Sequence, residues 1–165
     1  MRQPEHRVRF CQQCGAELAL REIEGATRPY CEHCGTPVFF DPKLAAVVLT
    51  EMDGKLLMVR RGVEPQMGRW AFPSGYVDRG ESVESAACRE VLEETGMIVE
   101  VERLLGVYSA DGRDVVLVAF AARVIGGSMR VGHDAQEVGL FAKEDLTDLP
   151  FPHDSQILED WKSAR

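Results

Sequence analysis

Apolar positions along the chain fall mostly into short runs broken by glycine and proline, with two stretches of helical period. Residues 44–50 form a β-branched apolar run, Met52-Asp53-Gly54 a turn and 55–60 a second run, which together predict a β-hairpin. Residues 62–69 predict a loop, and 70–77 an aromatic strand that ends in a tight turn at Pro73-Ser74-Gly75. Ser82 is placed to cap a helix that runs to about Thr95, with Gly96 just past its C-terminus. Beyond it, 98–109 and 114–124 predict strands joined around Asp111-Gly112, 126–136 a polar loop, 138–142 a short strand and 143–146 a helical turn. The closing segment 154–164 puts Ile157, Leu158 and Trp161 on one side of an amphipathic helix. Interleaved strands and helices predict an α/β fold, a mixed sheet covered by helices.

The 165 residues are 45% hydrophobic and 28% charged, as in ordinary globular domains. The longest apolar run, 115–122, is far short of the roughly 20 residues that cross a bilayer, so no membrane span is expected. No charged start followed by an apolar stretch and a small-residue cleavage site is present, and a cytoplasmic protein is expected. A formal charge of −8 has the wrong sign for broad attraction to nucleic acid or an anionic membrane. Residues 75–97 carry six acids against two bases and so supply half of that charge, a density that invites a cation.

Four of the five cysteines form two pairs, Cys11 with Cys14 and Cys31 with Cys34, in the spacing C-x2-C-x16-C-x2-C. Each pair is followed by glycine, which lets the backbone turn around a metal-bound sulfur, and the pattern reads as a closed, structural Zn2+ site. A redox reading of two C-x-x-C motifs would want a strand-to-helix setting that this stretch lacks. His33 inside the second knuckle is expected to be solvated, and Cys88 to behave as a small buried hydrophobe. The ribbon is assigned to residues 1–42, with Asp41-Pro42-Lys43 as its exit, and a second domain to 43–165.

On the helix opened by Ser82, Glu90 and Glu94 lie about 40° apart and Glu93 about 60° to the other side, so three carboxylates share one face. A solvated acidic face is the ordinary reading of such a run, but the same arc holds Val83, Ala86 and Ala87, which need protein against them. Oxygen-rich clusters suit hard divalent cations. Arg89, eight residues after Glu81, is placed to bond it and fix the loop to the helix.

Gly75, five residues, Glu81, seven residues, then Arg89-Glu90-Val91-Leu92-Glu93-Glu94-Thr95-Gly96-Met97 resembles the Nudix hydrolase signature at every specified position. The resemblance covers about residues 44–151. With the cysteine ribbon in front, the chain is similar to NADH pyrophosphatases and more closely to the zinc-ribbon group that includes FAD and ADP-ribose pyrophosphatases. It implies an α/β/α sandwich with a mixed sheet behind a small zinc ribbon, and hydrolysis of a nucleoside diphosphate linked to another group. It further implies catalytic Mg2+ or Mn2+ on Glu90, Glu93, Glu94 and the carbonyl of Ser74, with Glu93 or the late-loop Glu137 as base, Asp134 next in line, and a homodimer. Arg60 and Arg61 are candidates for phosphate contact, and Trp70, Tyr108 and Phe120 for stacking on a base, although strand aromatics are more often core.

Residues 102–110 lack the S-Q-P-W-P-F-P-x-S segment of NADH pyrophosphatases, and Gly112 or Arg113 stands where many ADP-ribose pyrophosphatases have proline. FAD and ADP-ribose therefore stay open, with NADH or a nucleoside triphosphate as the alternative. In the other class of reading, the ribbon is a binding or regulatory module on an inactive Nudix domain. Its six bases and six acids over residues 1–43 leave no basic footprint for nucleic acid, so a small nucleotide substrate is preferred.

Overall fold

The computed structural model describes residues 8–163, and the chain divides between Pro42 and Lys43 into two compact units. The first holds a three-stranded antiparallel sheet of β1 (Ala19–Ile23), β2 (Ala26–Cys31) and β3 (Thr36–Pro37). Among its described residues only Cys11 and Cys31 are buried, so its interior is sulfur rather than hydrocarbon.

The second unit begins with the hairpin β4 (Lys43–Met52) and β5 (Lys55–Arg61), followed by the short strands β6 (Trp70–Ala71) and β7 (Ser74–Tyr76). Helix α1 (Val83–Thr95) leads to the long strands β8 (Met97–Tyr108) and β9 (Val115–Gly127), then β10 (Ala135–Phe141), a 3-10 turn at Lys143–Asp145 and α2 (Asp154–Ser163). The sheet runs β10-β5-β4-β9-β8, with β6 added to β5 and β7 to β4. It is mixed: β4 and β9 run parallel from Lys43↔Val115 to Glu51↔Arg123, and the other pairs are antiparallel.

The central strands are apolar on both faces, as strands covered on both sides must be. Val47, Leu49, Met58 and Ala121 meet Ile157, Leu158 and Trp161 of α2, whereas Ala46, Val48, Leu57 and Phe120 meet Ala86, Ala87 and Val91 of α1. The result is an α/β/α sandwich, as the resemblance implies. The apolar arc of the acidic helix is therefore buried against the central strands, and its carboxylates are carried by a firmly packed element. Cys88 is half-buried against the same core.

The structure departs from the sequence reading in two places. The strand expected over 70–77 is two strands, because Pro73 has no N–H for a ladder; its carbonyl instead accepts from Val48 N at 2.9 Å, and the chain passes from β5 to β4. The loop expected over 126–136 is shorter, since β9 continues to Gly127 and β10 begins at Ala135. Tyr108 and Phe120 belong to the core, with the Tyr108 hydroxyl donating to Asp160 at 2.7 Å. Position 164 of the expected last helix lies outside the described residues. Among those described, no helix is long and apolar enough to cross a membrane.

Candidate active site

Helix α1 is fixed at both ends. The Ser82 hydroxyl accepts from Ser85 N–H at 3.2 Å, and Gly96, at φ 73°, donates back to the Leu92 carbonyl at 2.9 Å. The left-handed turn at Gly96 leads the chain directly into β8. Residues after β9 then return to the same helix end: Ser128, Arg130 and Gly132 donate backbone N–H groups to the carbonyls of Gly96, Thr95 and Glu94 at 3.2, 2.8 and 3.0 Å. These bonds satisfy carbonyls that a helix terminus otherwise leaves to solvent. The approach is close enough that a Cβ on Gly132 would lie 1.8 Å from the Glu93 carbonyl oxygen. Nothing in the helix pattern announced this docked segment; the glycines at 126, 127 and 132 were its one sequence signal.

Arg89 organises the acidic face. Its Nε and Nη2 donate to the two oxygens of Glu81 at 2.9 and 2.8 Å, Nη2 also reaches the Tyr76 carbonyl at 3.0 Å, and Nη1 donates to Glu90 at 2.6 Å and Glu93 at 3.3 Å. The bidentate bond to Arg89 holds the Glu81 carboxyl below its ordinary value, and the Arg89 guanidinium is held above its own by the same bond. Glu81 also accepts from Asp78 N–H at 3.2 Å, which ties the loop after β7 to the helix.

The three helix carboxylates occupy different environments. Glu93 is exposed, with 58% of its side chain accessible, whereas Glu90 retains 15% and its carboxyl is pushed up by burial. Glu94 is 8% exposed, and burial pushes its carboxyl up to about 8. Among the described residues its hydrogen bond is from Ser74 N–H at 3.0 Å; the charge of Arg61 partly offsets the burial, and those of Glu90 and Asp134 add to it. Gly75 has a steric reason in this arrangement, because a Cβ there would lie 2.0 Å from the carboxyl carbon of Glu90.

The structure brings Ser74, Glu81, Arg89, Glu90, Glu93 and Glu94 together, with Arg61 and Asp134 within electrostatic reach of Glu94. Glu137 is bonded elsewhere: its carboxylate accepts from Arg60 Nη1 at 2.9 Å, across the β5–β10 pair. Arg60 Nε also donates to the Gly68 carbonyl, and Arg61 donates to the Pro65 carbonyl while its guanidinium lies 5.2 Å from the centre of the Phe151 ring.

In the N-terminal unit, the four thiol sulfurs of Cys11, Cys14, Cys31 and Cys34 lie within 4.8 Å of one another. A tetrahedron with metal–sulfur bonds of about 2.3 Å has edges of about 3.8 Å, so little closure is needed around an ion. Both knuckles turn alike: Gly15 N–H donates to the Cys11 carbonyl at 2.8 Å and Gly35 N–H to that of Cys31 at 2.9 Å, with both glycines at positive φ. Cys34 N–H points at Cys31 Sγ (3.4 Å). Backbone hydrogen bonds from Gln13 and Cys14 hold the Cys11 thiol down at about 7, while the bonds Cys34 makes to Cys14 and Cys31 push it up to about 12. Four sulfurs so placed could hold a metal ion.

Comparison with known proteins places the same features in context. The NUDIX domain family matches residues 42–161. An ADP-ribose pyrophosphatase of Methanocaldococcus jannaschii is 40% identical over 134 residues, spanning 77% of this chain and 79% of that one. An NAD-capped RNA hydrolase NudC of Chromobacterium violaceum is 28% identical over 92% of this chain but only 57% of its own length. The crystal structure of a NUDIX hydrolase from Nitrosomonas europaea superposes with a TM-score of 0.88 at 31% identity, covering 96% of this chain and 92% of that one.

Proposed function

This chain belongs to the Nudix hydrolase family, and from that premise we propose that it hydrolyses the diphosphate bridge of ADP-ribose to AMP and ribose 5-phosphate. The observation that carries the reading is a charge imbalance: Glu90, Glu93 and Glu94 lie on one helix, the Arg89 guanidinium that bonds Glu90 and Glu93 is already committed to Glu81, and among the described residues the buried Glu94 carboxylate is bonded by Ser74 N–H. A donor set of carboxylate oxygens alone fits a hard divalent cation, Mg2+ or Mn2+. Glu90, Glu93 and Glu94, with the carbonyl of Ser74, would hold it. When bound, such an ion neutralises diphosphate oxygens and supplies Lewis acidity.

The chain's own groups then divide the work. Arg89 and Glu81 hold the loop and helix in register, so that the carboxylates keep their places without substrate. Arg60 and Arg61 are the cations that meet phosphate oxygens. Glu93, the most exposed of the three helix carboxylates, accepts the proton of the attacking water, with Glu137 as the second candidate. The water oxygen bonds to one phosphorus, and the bridging oxygen leaves with the other phosphate. The four cysteines hold one structural Zn2+ with no open position.

ADP-ribose is preferred to FAD on the identity with the M. jannaschii enzyme, and the NudC likeness makes NADH the second reading. The test is AMP release, with Mg2+ or Mn2+, from ADP-ribose, FAD, NADH, NAD and a nucleoside triphosphate. ADP-ribose should show the highest kcat/KM. A preference for FAD or NADH would replace the substrate, and no release from any of them would overturn the hydrolase reading.

A further inference from the structure

Arg60 and Arg61 stand side by side at the end of β5, and the protein treats them differently. Arg60 is committed: its Nε donates to the Gly68 carbonyl at 3.0 Å and its Nη1 to Glu137 at 2.9 Å. Arg61 is tied only by its stem. Its Nε donates to the Pro65 carbonyl at 2.8 Å, and among the described residues its two terminal nitrogens have no hydrogen bond or ion pair. Its backbone is pinned as well, since its N–H donates to the Arg69 carbonyl at 2.9 Å and its carbonyl accepts from Gly68 N–H at 2.8 Å.

The guanidinium lies over the Phe151 ring, 5.2 Å from its centre, within the range of a cation–π contact. Phe151 is itself held from both sides. Pro150 and Pro152 flank it and restrict its backbone. Its N–H donates to the Asp154 carboxylate at 3.1 Å, and Asp154 N–H donates back to its carbonyl at 3.2 Å. Asp154 opens α2 and is 3% exposed, so this reciprocal pair is anchored in the core rather than in solvent.

The Arg61 charge reaches two buried carboxyls, Glu94 on α1 and Asp154 on α2, and partly offsets the burial of each. It bonds neither. A half-buried guanidinium with a fixed stem, a supported face and an unbonded fork is preorganised for a bidentate oxyanion. Arg60 would have to leave Glu137 to do the same.

We propose that Arg61 is the clamp for the diphosphate oxygens and that Phe151, locked by Asp154, is the positioning residue that aims it. The identity of the oxyanion rests on the hydrolase reading, but the clamp is tested by binding alone.

The probe is methylenediphosphonate, whose P–C–P bridge water cannot cleave, titrated by calorimetry into the full chain with Mg2+ present. Wild type should bind it, and Arg61→Gln should weaken binding about ten- to a hundredfold. Phe151→Leu fills the space without a π face and should weaken binding about three- to tenfold, whereas Phe151→Tyr should restore it. Asp154→Ala should reproduce the loss, and Asp154→Asn, which can still accept from Phe151 N–H, should not. With ADP-ribose, Phe151→Leu should raise KM by the same factor and leave kcat within about twofold, a split that a merely unfolded fraction would not give. Thermal melts check that each variant is folded; where Arg61→Gln is not, the contrast between Phe151→Leu and Phe151→Tyr decides. No binding by wild type, equal binding by Arg61→Gln, or a Phe151→Tyr as weak as Phe151→Leu would overturn the clamp. Arg61-dependent binding without hydrolysis of any dinucleotide would keep the clamp and defeat the hydrolase reading; hydrolysis with KM unmoved by Arg61→Gln would do the reverse.

Discussion

Glu94→Gln should lower kcat for ADP-ribose by about 10³-fold, yet raise the melting temperature of the metal-free protein at pH 8. Loss of an outer-shell partner of a metal typically costs about 10–100-fold, and in the proposed site Glu94 would touch the ion itself. The stability effect has the opposite sign because the carboxyl is buried at 8% exposure and its pKa is pushed up to about 8. Between its ordinary value of 4.5 and about 8, the folded chain retains a proton that the unfolded chain has released. Stability from this group is therefore fully present at low pH and falls as pH rises through that window. Glutamine has no charge to bury and can still accept from Ser74 N–H. Metal-free wild type and variant should melt alike near pH 5 and diverge toward pH 8, where excess Mg2+ should stabilise the wild type alone. Thermal melts across pH check the second half and steady-state rates the first. Near-normal turnover in the variant would remove Glu94 from the metal site.

Removing the ion from the N-terminal unit should unfold that unit and leave the second folded. Domains below about 40 residues usually need a metal, disulfides or a partner to fold, and this one has no buried hydrocarbon side chain among its described residues. Structural zinc in peptides of this size contributes an apparent free energy of about 10–16 kcal/mol, more than the sheet β1-β2-β3 could supply alone. Purified protein should carry about one zinc per chain. Cys31→Ser should lose it, and residues 8–42 should lose hydrogen-exchange protection while β4, β5 and β9 keep theirs. A zinc-free sample with a protected N-terminal sheet would defeat the assignment.

The features legible in the sequence are those set by local spacing. Ser82 and Gly96 mark the helix because capping is decided within a few residues, and the acidic face follows from the helical period. The Glu81–Arg89 bond was readable because both partners lie within one loop and helix. Long-range contacts were not. The docking of Ser128, Arg130 and Gly132 on the end of α1 is backbone bonding across the fold, which leaves no side-chain period to detect. Trp70, Tyr108 and Phe120 looked alike as strand aromatics; only the packing of α2 and the sheet separates the half-buried Trp70 from the two core rings.

The most direct test of the account is to follow ADP-ribose by phosphorus NMR with chelator-treated protein, before and after addition of Mn2+ or Mg2+. The account predicts that the diphosphate resonances persist until metal is added, then give way to two monophosphate resonances, AMP and ribose 5-phosphate, in equal amounts. Cleavage that proceeds equally well in the presence of chelator, or intact ADP-ribose after metal is restored to a zinc-loaded protein, would contradict it.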